Sequence, residues 1–453
     1  MFFSNRYCDK GLLHYYFTYY LLVICSMQLQ KYLQERGYLY QNSHNEIFEK
    51  LEKGGIWFYC GFDPTADSLH MGNFIGFMTA VRLMLAGNKY FALIGGATGM
   101  VGDPGGKDTE RTFLDEATLT HNVEAIKKQF ETILTRLTKT TGEKLDFEIV
   151  NNLDFYTWVG YLDFLREVGK YHTVNQMMAK DTVKKRIEDP SKSISYTEFS
   201  YMLLQWFDYY CLNRDHGVSL QMWGQDQWGN LVTWIELIRK KTDHETYAFT
   251  WPLITDATGK KFWKSEGNAL FLDRNRTSPF DLYQYFMNTH DEDVERYLKL
   301  LTLLELEEIT VVLWEHMNSP EKRIGQKTLA YEVVKIIHGE EDSIICEKIS
   351  QFLFWEDDKL ELLKWLSEEE FETFCIEIWT MWEPHDDQSL FDILIKSGLE
   401  KSGSTARQSV KSGAIYINEE KVTDNNLDIA GCFIDEKFFL LRKWKKNYRI
   451  IKK

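Results

Sequence analysis

Two short apolar, aromatic-rich runs stand out along the chain, WFYCG at 57–61 and NKYFALIGG at 88–96. Each ends in glycine and runs into a glycine-containing loop followed by a helical pattern. Strand, loop and helix in repeated succession predict a parallel α/β sheet. A long polar helix is expected over 116–140, mostly helical chain over 155–215, and another strand entering a loop and helix at QMWGQDQWGN (221–230). From about Ser278 the pattern turns all-helical through Glu383. The last stretch, 388–453, opens with a helix and continues into short strands around GAIYIN and KFFLLRK. Residues 11–27 (GLLHYYFTYYLLVICSM) are nearly uncharged, yet short for a membrane span and rich in tyrosine. They are read as part of a dispensable extension (1–26) rather than a targeting segment, with a first domain helix beginning after Met27.

Charge changes this picture. The 453 residues carry a net charge of -15, which excludes a uniformly basic coat for nucleic acid. The charge is uneven: 340–387 hold sixteen acidic and three basic side chains, whereas 388–453 hold thirteen basic and eight acidic. The tail 437–453 has eight Lys or Arg and no acid. An acidic helical segment followed by a basic module suggests a nucleic-acid contact at the end of the chain, although a solvated tail fits the charge alone. The seven cysteines are scattered without a CxxC pair, which argues against a zinc ribbon or disulfide framework and for a reducing, cytoplasmic setting.

Four segments carry candidate chemistry. In GFDPTADSLHMGN (61–73), SLHMGN opens a helix whose free N–H groups suit an anion. His70 and Asn73 share one helical face, which suits a triphosphate or ribose; a plain capping role is the bland alternative. GGATGMVGDPGGKDTER (95–111) is too rich in glycine to serve regular structure, and Lys107 and Arg111 add phosphate donors. Its spacing is neither a P-loop nor a dinucleotide fingerprint, and a long turn is the alternative. In YMLLQWFD (201–208), Tyr201, Gln205 and Asp208 stand at i, i+4 and i+7, a polar stripe on an apolar helix. Such a stripe lines a polar pocket or forms a satisfied core network. GQDQWGN (224–230) puts Asp226 at a strand end, where α/β sheets bind ligands, and KKFWKSEGNA (260–269) pairs Lys261 with Lys264 in a loop that could clamp pyrophosphate.

Together these segments resemble the bacterial-type tyrosyl-tRNA synthetases, a class I family. HMGN is similar to the HIGH signature and KFWKS to KMSKS. YCGFDPTADSLH, GGATGMVGDPGGK, YMLLQWFD and DQWGN match the tyrosine-specific pattern in order, and SGSTARQSVKSGAIYINEEKV (402–422) resembles the family's terminal RNA-binding module. Two positions depart. Asn73 replaces the second His of HIGH but still offers a donor and an acceptor, and Trp263 stands where relatives usually have Gly or Ser.

The resemblance implies an α/β fold with a Rossmann-like parallel-sheet catalytic domain and helical insertion (27–248). A KFWKS loop and linker (249–277), a helical tRNA-binding domain (278–383) and a small α+β RNA-binding module (388–453) follow. It implies ATP as substrate with Mg2+, tyrosine and tRNA-Tyr as partners, a homodimer, and neither a tightly bound cofactor nor a membrane. The roles it implies are phosphate stabilisation by Thr65 and His70, and pyrophosphate binding by Lys107, Arg111, Lys261 and Lys264. Asn73 and Asp226 would hold the ribose, Tyr59 and Asp208 the phenol, and Asp103, Tyr201 and Gln205 the ammonium. Arg407, Lys411 and Lys421 would meet RNA. Two other readings remain open here, a non-catalytic RNA-binding protein on the same fold and a sister enzyme for tryptophan. The intact Tyr59, Asp103, Tyr201, Gln205, Asp208 set speaks against the first, and a carboxylate beside Tyr59 answers a hydroxyl that indole lacks.

Overall fold

The computed structural model describes residues 29–102, 114–189, 193–253, 264–265, 268–354, 359–378, 381–382, 389–424, 427, 429–444 and 447–452. By its internal contacts the chain divides into two compact units, Met1–Thr277 with Thr289–Leu329, and Ser278–Asn288 with Ala330–Lys453.

The first unit is built on six strands: β1 (Gln41–Asn42), β2 (Trp57–Phe62), β3 (Lys89–Ile94), β4 (Asp146–Asn151), β5 (Leu220–Gly224) and β6 (Tyr247–Trp251). Their order is β1-β6-β5-β2-β3-β4, all parallel except β1. The central strands β2 and β3 are buried almost throughout, as expected of near-continuous apolar runs with helices on both faces. Chain order reverses between β2 and β5, so the carboxyl ends of these two strands form the switch point where such sheets bind ligands. The expected long helix is Glu116–Thr141, capped by the Asp115 carboxylate and ended by Gly142 in the left-handed region. The strands β1, β4 and β6 have no counterpart in the sequence reading. Edge strand β4 (DFEIVN) is only half-buried, and its alternation lasts just four residues, Asp146 to Ile149, too short a signal to stand out.

The all-helical stretch from Ser278 is not one body. Its 289–329 part packs in the first unit, held by two buried arginines. Arg82, on the helix Met71–Leu85, bonds Glu305 at 3.1 Å and the Thr302 carbonyl at 2.9 Å. Arg36 bonds the carbonyls of Lys299 and Leu304 and lies 3.6 Å from Glu305. Both guanidiniums lie over the Tyr32 ring, at 5.1 Å for Arg36 and 5.8 Å for Arg82.

In the second unit the terminal sheet has the order β11-β10-β12-β13-β9, from β9 (Met381–Trp382), β10 (Ile415–Ile417), β11 (Glu420–Lys421), β12 (Phe438–Lys443) and β13 (Asn447–Lys452). The strand β9, at the end of the expected helical run, pairs parallel with β13. Both faces of β12 are buried. Phe439 and Leu441 pack on Ile393, Ala406 and Val410 of the module's own helices. Phe438 and Leu440 pack with Ile349, Phe352 and Phe374 of the preceding helices. The basic module therefore shares a core with helices that the sequence assigned to a separate domain.

Candidate active site

The polar stripe on YMLLQWFD lies on the helix Tyr196–His216, started by the Ser195 hydroxyl and closed by Gly217 in the left-handed region. Its three members turn inward: Tyr201, Gln205 and Asp208 are all buried. Asp208 accepts hydrogen bonds from Asn152 Nδ2 at 2.9 Å and from the Tyr156 hydroxyl at 3.0 Å. The Tyr156 hydroxyl also lies 2.9 Å from the Leu204 carbonyl. One hydroxyl proton cannot fully serve two acceptors, so the arrangement favours a proton on Asp208. Burial pushes the Asp208 carboxyl up to about 7, against the two hydrogen bonds that lower it, with Asp63 adding to the rise.

The network continues. Asn152 Nδ2 also reaches Thr98 Oγ1 at 3.2 Å, Thr98 donates to Asp63 Oδ1 at 2.8 Å, and the Tyr201 hydroxyl donates to Asp63 Oδ2 at 2.9 Å. A chain of polar groups thus links the ends of β2, β3 and β4 to one helix. Tyr59 projects from β2 with its ring against Tyr209, at a centroid distance of 5.2 Å. Its hydroxyl donates to Gln221 Oε1 at 3.3 Å, and Gln221 Nε2 donates to the Leu231 carbonyl at 3.2 Å. Burial holds the Tyr59 phenol well above its ordinary range, and nearby Asp208 adds to the effect. Asp208 and Tyr201 are thus joined in one buried polar network beside the switch point, Tyr59 lies close enough to Asp208 to interact electrostatically, and Gln205 is buried on the same helix. Asp63, Thr98, Asn152 and Tyr156 in that network, and Gln221 beside Tyr59, were not singled out from the sequence. Asp63, Thr98 and Gln221 stand inside the candidate motifs themselves. Asn152 follows β4 directly, so recognising that strand would have put it at a ligand-facing end.

The nucleotide end is more open. Thr65 is exposed, with its N–H on the Asp63 carbonyl at 2.8 Å. His70 caps the helix Met71–Leu85, and its N–H donates to Asn73 Oδ1 at 3.0 Å. Asn73 thus commits its oxygen to the helix start, a bond in which its amide NH2 takes no part. Met71 N–H bonds the Leu270 carbonyl at 2.9 Å and Leu272 N–H bonds the Leu69 carbonyl at 2.8 Å. Just upstream, β7 (Lys264–Ser265) and β8 (Asn268–Ala269) form a hairpin, so Lys264 enters the segment tied to His70. Asp226 is exposed after β5, its carboxylate resting against Gly224. Asp103, Lys107, Arg111, Lys261 and Trp263 lie outside the described residues. No three His, Cys, Asp or Glu side chains among the described residues are grouped to hold a metal ion.

In the second unit, Arg407 and Lys411 are exposed on the helix Gly403–Lys411, and Lys421 is exposed on β11 with its aliphatic arm against Gly413. Among the described residues no carboxylate pairs with these three. By contrast, Arg442 is held by Glu419 at 2.7 Å and Lys443 by Glu400 at 2.9 Å.

Comparison with known proteins places this geometry. The family model described as tRNA synthetases class I (W and Y) matches residues 51–354, and that of the tyrosine–tRNA ligase SYY-like C-terminal domain matches 370–451. The tyrosine–tRNA ligase of Streptococcus pyogenes serotype M18 is 42% identical over 428 residues, covering 94% of this chain and 100% of that protein. A C-terminally truncated mitochondrial tyrosyl-tRNA synthetase from Aspergillus nidulans superposes with a TM-score of 0.67 at 29% identity, over 75% of this chain and 98% of that one. The equivalent structure from Coccidioides posadasii gives 0.63 at 28% identity, over 75% and 97%.

Proposed function

The chain belongs to the class I (W and Y) tRNA synthetases, within them to the tyrosine–tRNA ligases, and we propose that its pocket joins tyrosine to AMP and passes it on to the 3′ end of tRNA-Tyr. In the first step the tyrosine carboxylate attacks the α-phosphorus of ATP. A carboxyl–phosphorus bond forms and pyrophosphate leaves. The nucleophile is already ionised, so the site must supply alignment and charge stabilisation rather than proton transfer. In the second step a ribose hydroxyl of the terminal adenosine takes the tyrosyl group and AMP leaves.

The observation that carries this reading is the buried pair Tyr59 and Asp208 at the switch point. With the Tyr59 proton donated to Gln221, its oxygen is left to accept from a substrate phenol. Asp208 meets the same hydroxyl from the helix side, as acceptor when ionised and donor when protonated. In this reading Asp103, Tyr201 and Gln205 bind the ammonium, and Asn73 and Asp226 the ribose. Thr65 and His70 stabilise the phosphates, and Lys107, Arg111, Lys261 and Lys264 gather the pyrophosphate. Mg2+ arrives on the ATP phosphates. Arg407, Lys411 and Lys421 meet the tRNA. Exposed Trp158, Tyr161, Leu162 and Tyr196 on the helical insertion support a homodimer. A reducing cytoplasm suits the free cysteines Cys60, Cys211, Cys346, Cys375 and Cys432. The test is ATP–pyrophosphate exchange with each of the twenty amino acids. Exchange driven by tyrosine alone is expected; exchange driven by tryptophan, or by none, overturns the reading.

A further inference from the structure

One residue of QMWGQDQWGN has no part in the tyrosine chemistry. Trp223 lies on β5 two residues after Gln221, and Gly61 lies on β2 two residues after Tyr59. Tyr59 is in register with Gln221, so strand alternation puts Gly61 opposite Trp223 on the same face. The contact is close: a Cβ on Gly61 would come 2.9 Å from Trp223 Cη2 and 3.1 Å from Cζ2. The benzene half of the indole therefore rests on bare backbone at the carboxyl end of the central strand. The indole N–H is buried without a hydrogen-bond partner. It lies near the Tyr59 hydroxyl, whose oxygen, with its own proton given to Gln221, can still accept from the indole. A buried donor without a well-formed bond is costly, so at most a weak contact to Tyr59 holds the ring in this rotamer.

The position matters because of what must cross it. Tyr59 precedes Gly61 on β2, and Asp226 follows Gly224 just beyond β5. A tyrosyl-adenylate reaching from the phenol end to the ribose end passes over Gly61, where the indole now lies. We propose that Trp223 is the steric determinant of the amino-acid pocket: its indole restricts the space over Gly61, and substrate enters only as the ring turns aside. The inference rests on the tyrosine-ligase reading.

The experiment is pyrophosphate exchange by the full-length protein and its Trp223→Gly and Trp223→Phe variants, with tyrosine and with 3-iodotyrosine, alongside melting temperatures. Relief of overpacking in Trp223→Gly should raise kcat/KM for tyrosine about tenfold or more and should raise that for 3-iodotyrosine further. Trp223→Phe, which keeps a smaller ring and lacks the indole N–H, should fall between. Unchanged kcat/KM for both substrates in a variant that melts normally overturns the proposal. So does a loss of tyrosine activity in Trp223→Gly that Trp223→Phe restores, since the ring would then be a wall the substrate needs. Absence of tyrosine-dependent exchange in all three proteins would instead overturn the ligase reading on which the inference rests.

Discussion

In the sheet unit the ionisable groups that matter are inside: Arg36 and Asp208 are 1% exposed and Arg82 is 2%. In the terminal module Arg407, Lys411 and Lys421 stand in water, while their neighbours Arg442 and Lys443 are neutralised by Glu419 and Glu400. A buried charge has few ways to be satisfied, so it forces one geometry and rejects a ligand that leaves a group unpaired. An exposed cation imposes no geometry. It attracts any polyanion, and salt weakens it. The pocket is thus suited to telling one small molecule from another, and the module to holding a large anion that something else identifies.

The difference can be broken first at the arginine pair. Glu305→Gln removes the carboxylate that Arg36 and Arg82 share, and should cost about 3–5 kcal/mol of stability in the first unit, read as a lower urea midpoint. A loss under about 1 kcal/mol would mean that the carbonyls of Lys299, Thr302 and Leu304 carry the fixation.

Asp208→Asn tests the pocket. Asn can accept from Asn152 and donate to Tyr156, whose proton then goes wholly to the Leu204 carbonyl, so the fold should survive. Loss of a carboxyl that can accept when ionised and donate when protonated should lower kcat/KM for tyrosine by about 1.5–3 kcal/mol, roughly ten- to a hundredfold, with phenylalanine changed less. An unchanged ratio between the two substrates would reduce Asp208 to a core network.

The same residue makes a pH prediction. Its folded pKa of about 7 lies above the unfolded carboxylate value, so the native state binds the proton more tightly. This contribution is fully present below about pH 4 and is lost as pH rises through about 7, on the order of 4 kcal/mol at most. Denaturation of the wild type should show that decline across this window, and Asp208→Asn should flatten it. Parallel curves would contradict the elevated pKa.

On the module, reversing Arg407, Lys411 and Lys421 to Glu should weaken tRNA binding. The slope of log affinity against log salt should fall by about one for each phosphate no longer neutralised. Tyrosine-dependent pyrophosphate exchange should stay at its wild-type rate. An unaltered salt slope would remove these residues from the RNA-facing surface. Point changes are the proper probe, because cutting at 388 would strip Phe438, Leu440 and Ile450 from the core they share with Phe352 and Phe374. The smallest effect is expected at Lys240, whose pair with Glu236 at 2.7 Å is half-exposed on both sides. Lys240→Ala should shift stability by less than about 0.5 kcal/mol, a baseline against which Glu305→Gln is read.

Local order carried much of this in the chain itself. The apolar runs WFYCG and NKYFALIGG became the buried centre of the sheet, because a strand covered on both faces needs no alternation. The 3.6-residue period put Tyr201, Gln205 and Asp208 on one helical face before any contact was known, and the motif order named the family. What the period could not say was whether that stripe faced solvent, core or ligand. That depended on Asn152, Tyr156 and Asp63, which lie 56, 52 and 145 positions from Asp208 and meet it only when β2, β3 and β4 are laid side by side. The same holds for the helices after Ser278, whose composition is uniform. Arg36, Tyr38 and Arg82, reaching across more than two hundred residues, assign 289–329 to the sheet, and the two buried faces of β12 with the β9–β13 pairing bind the module to its neighbours. Sequence determined which side chains share a face, since that follows from the geometry of a single helix or strand. Tertiary structure decided which faces meet, and with them the proton on Asp208 and the ring over Gly61. Burial and pairing at those sites are properties of several segments at once.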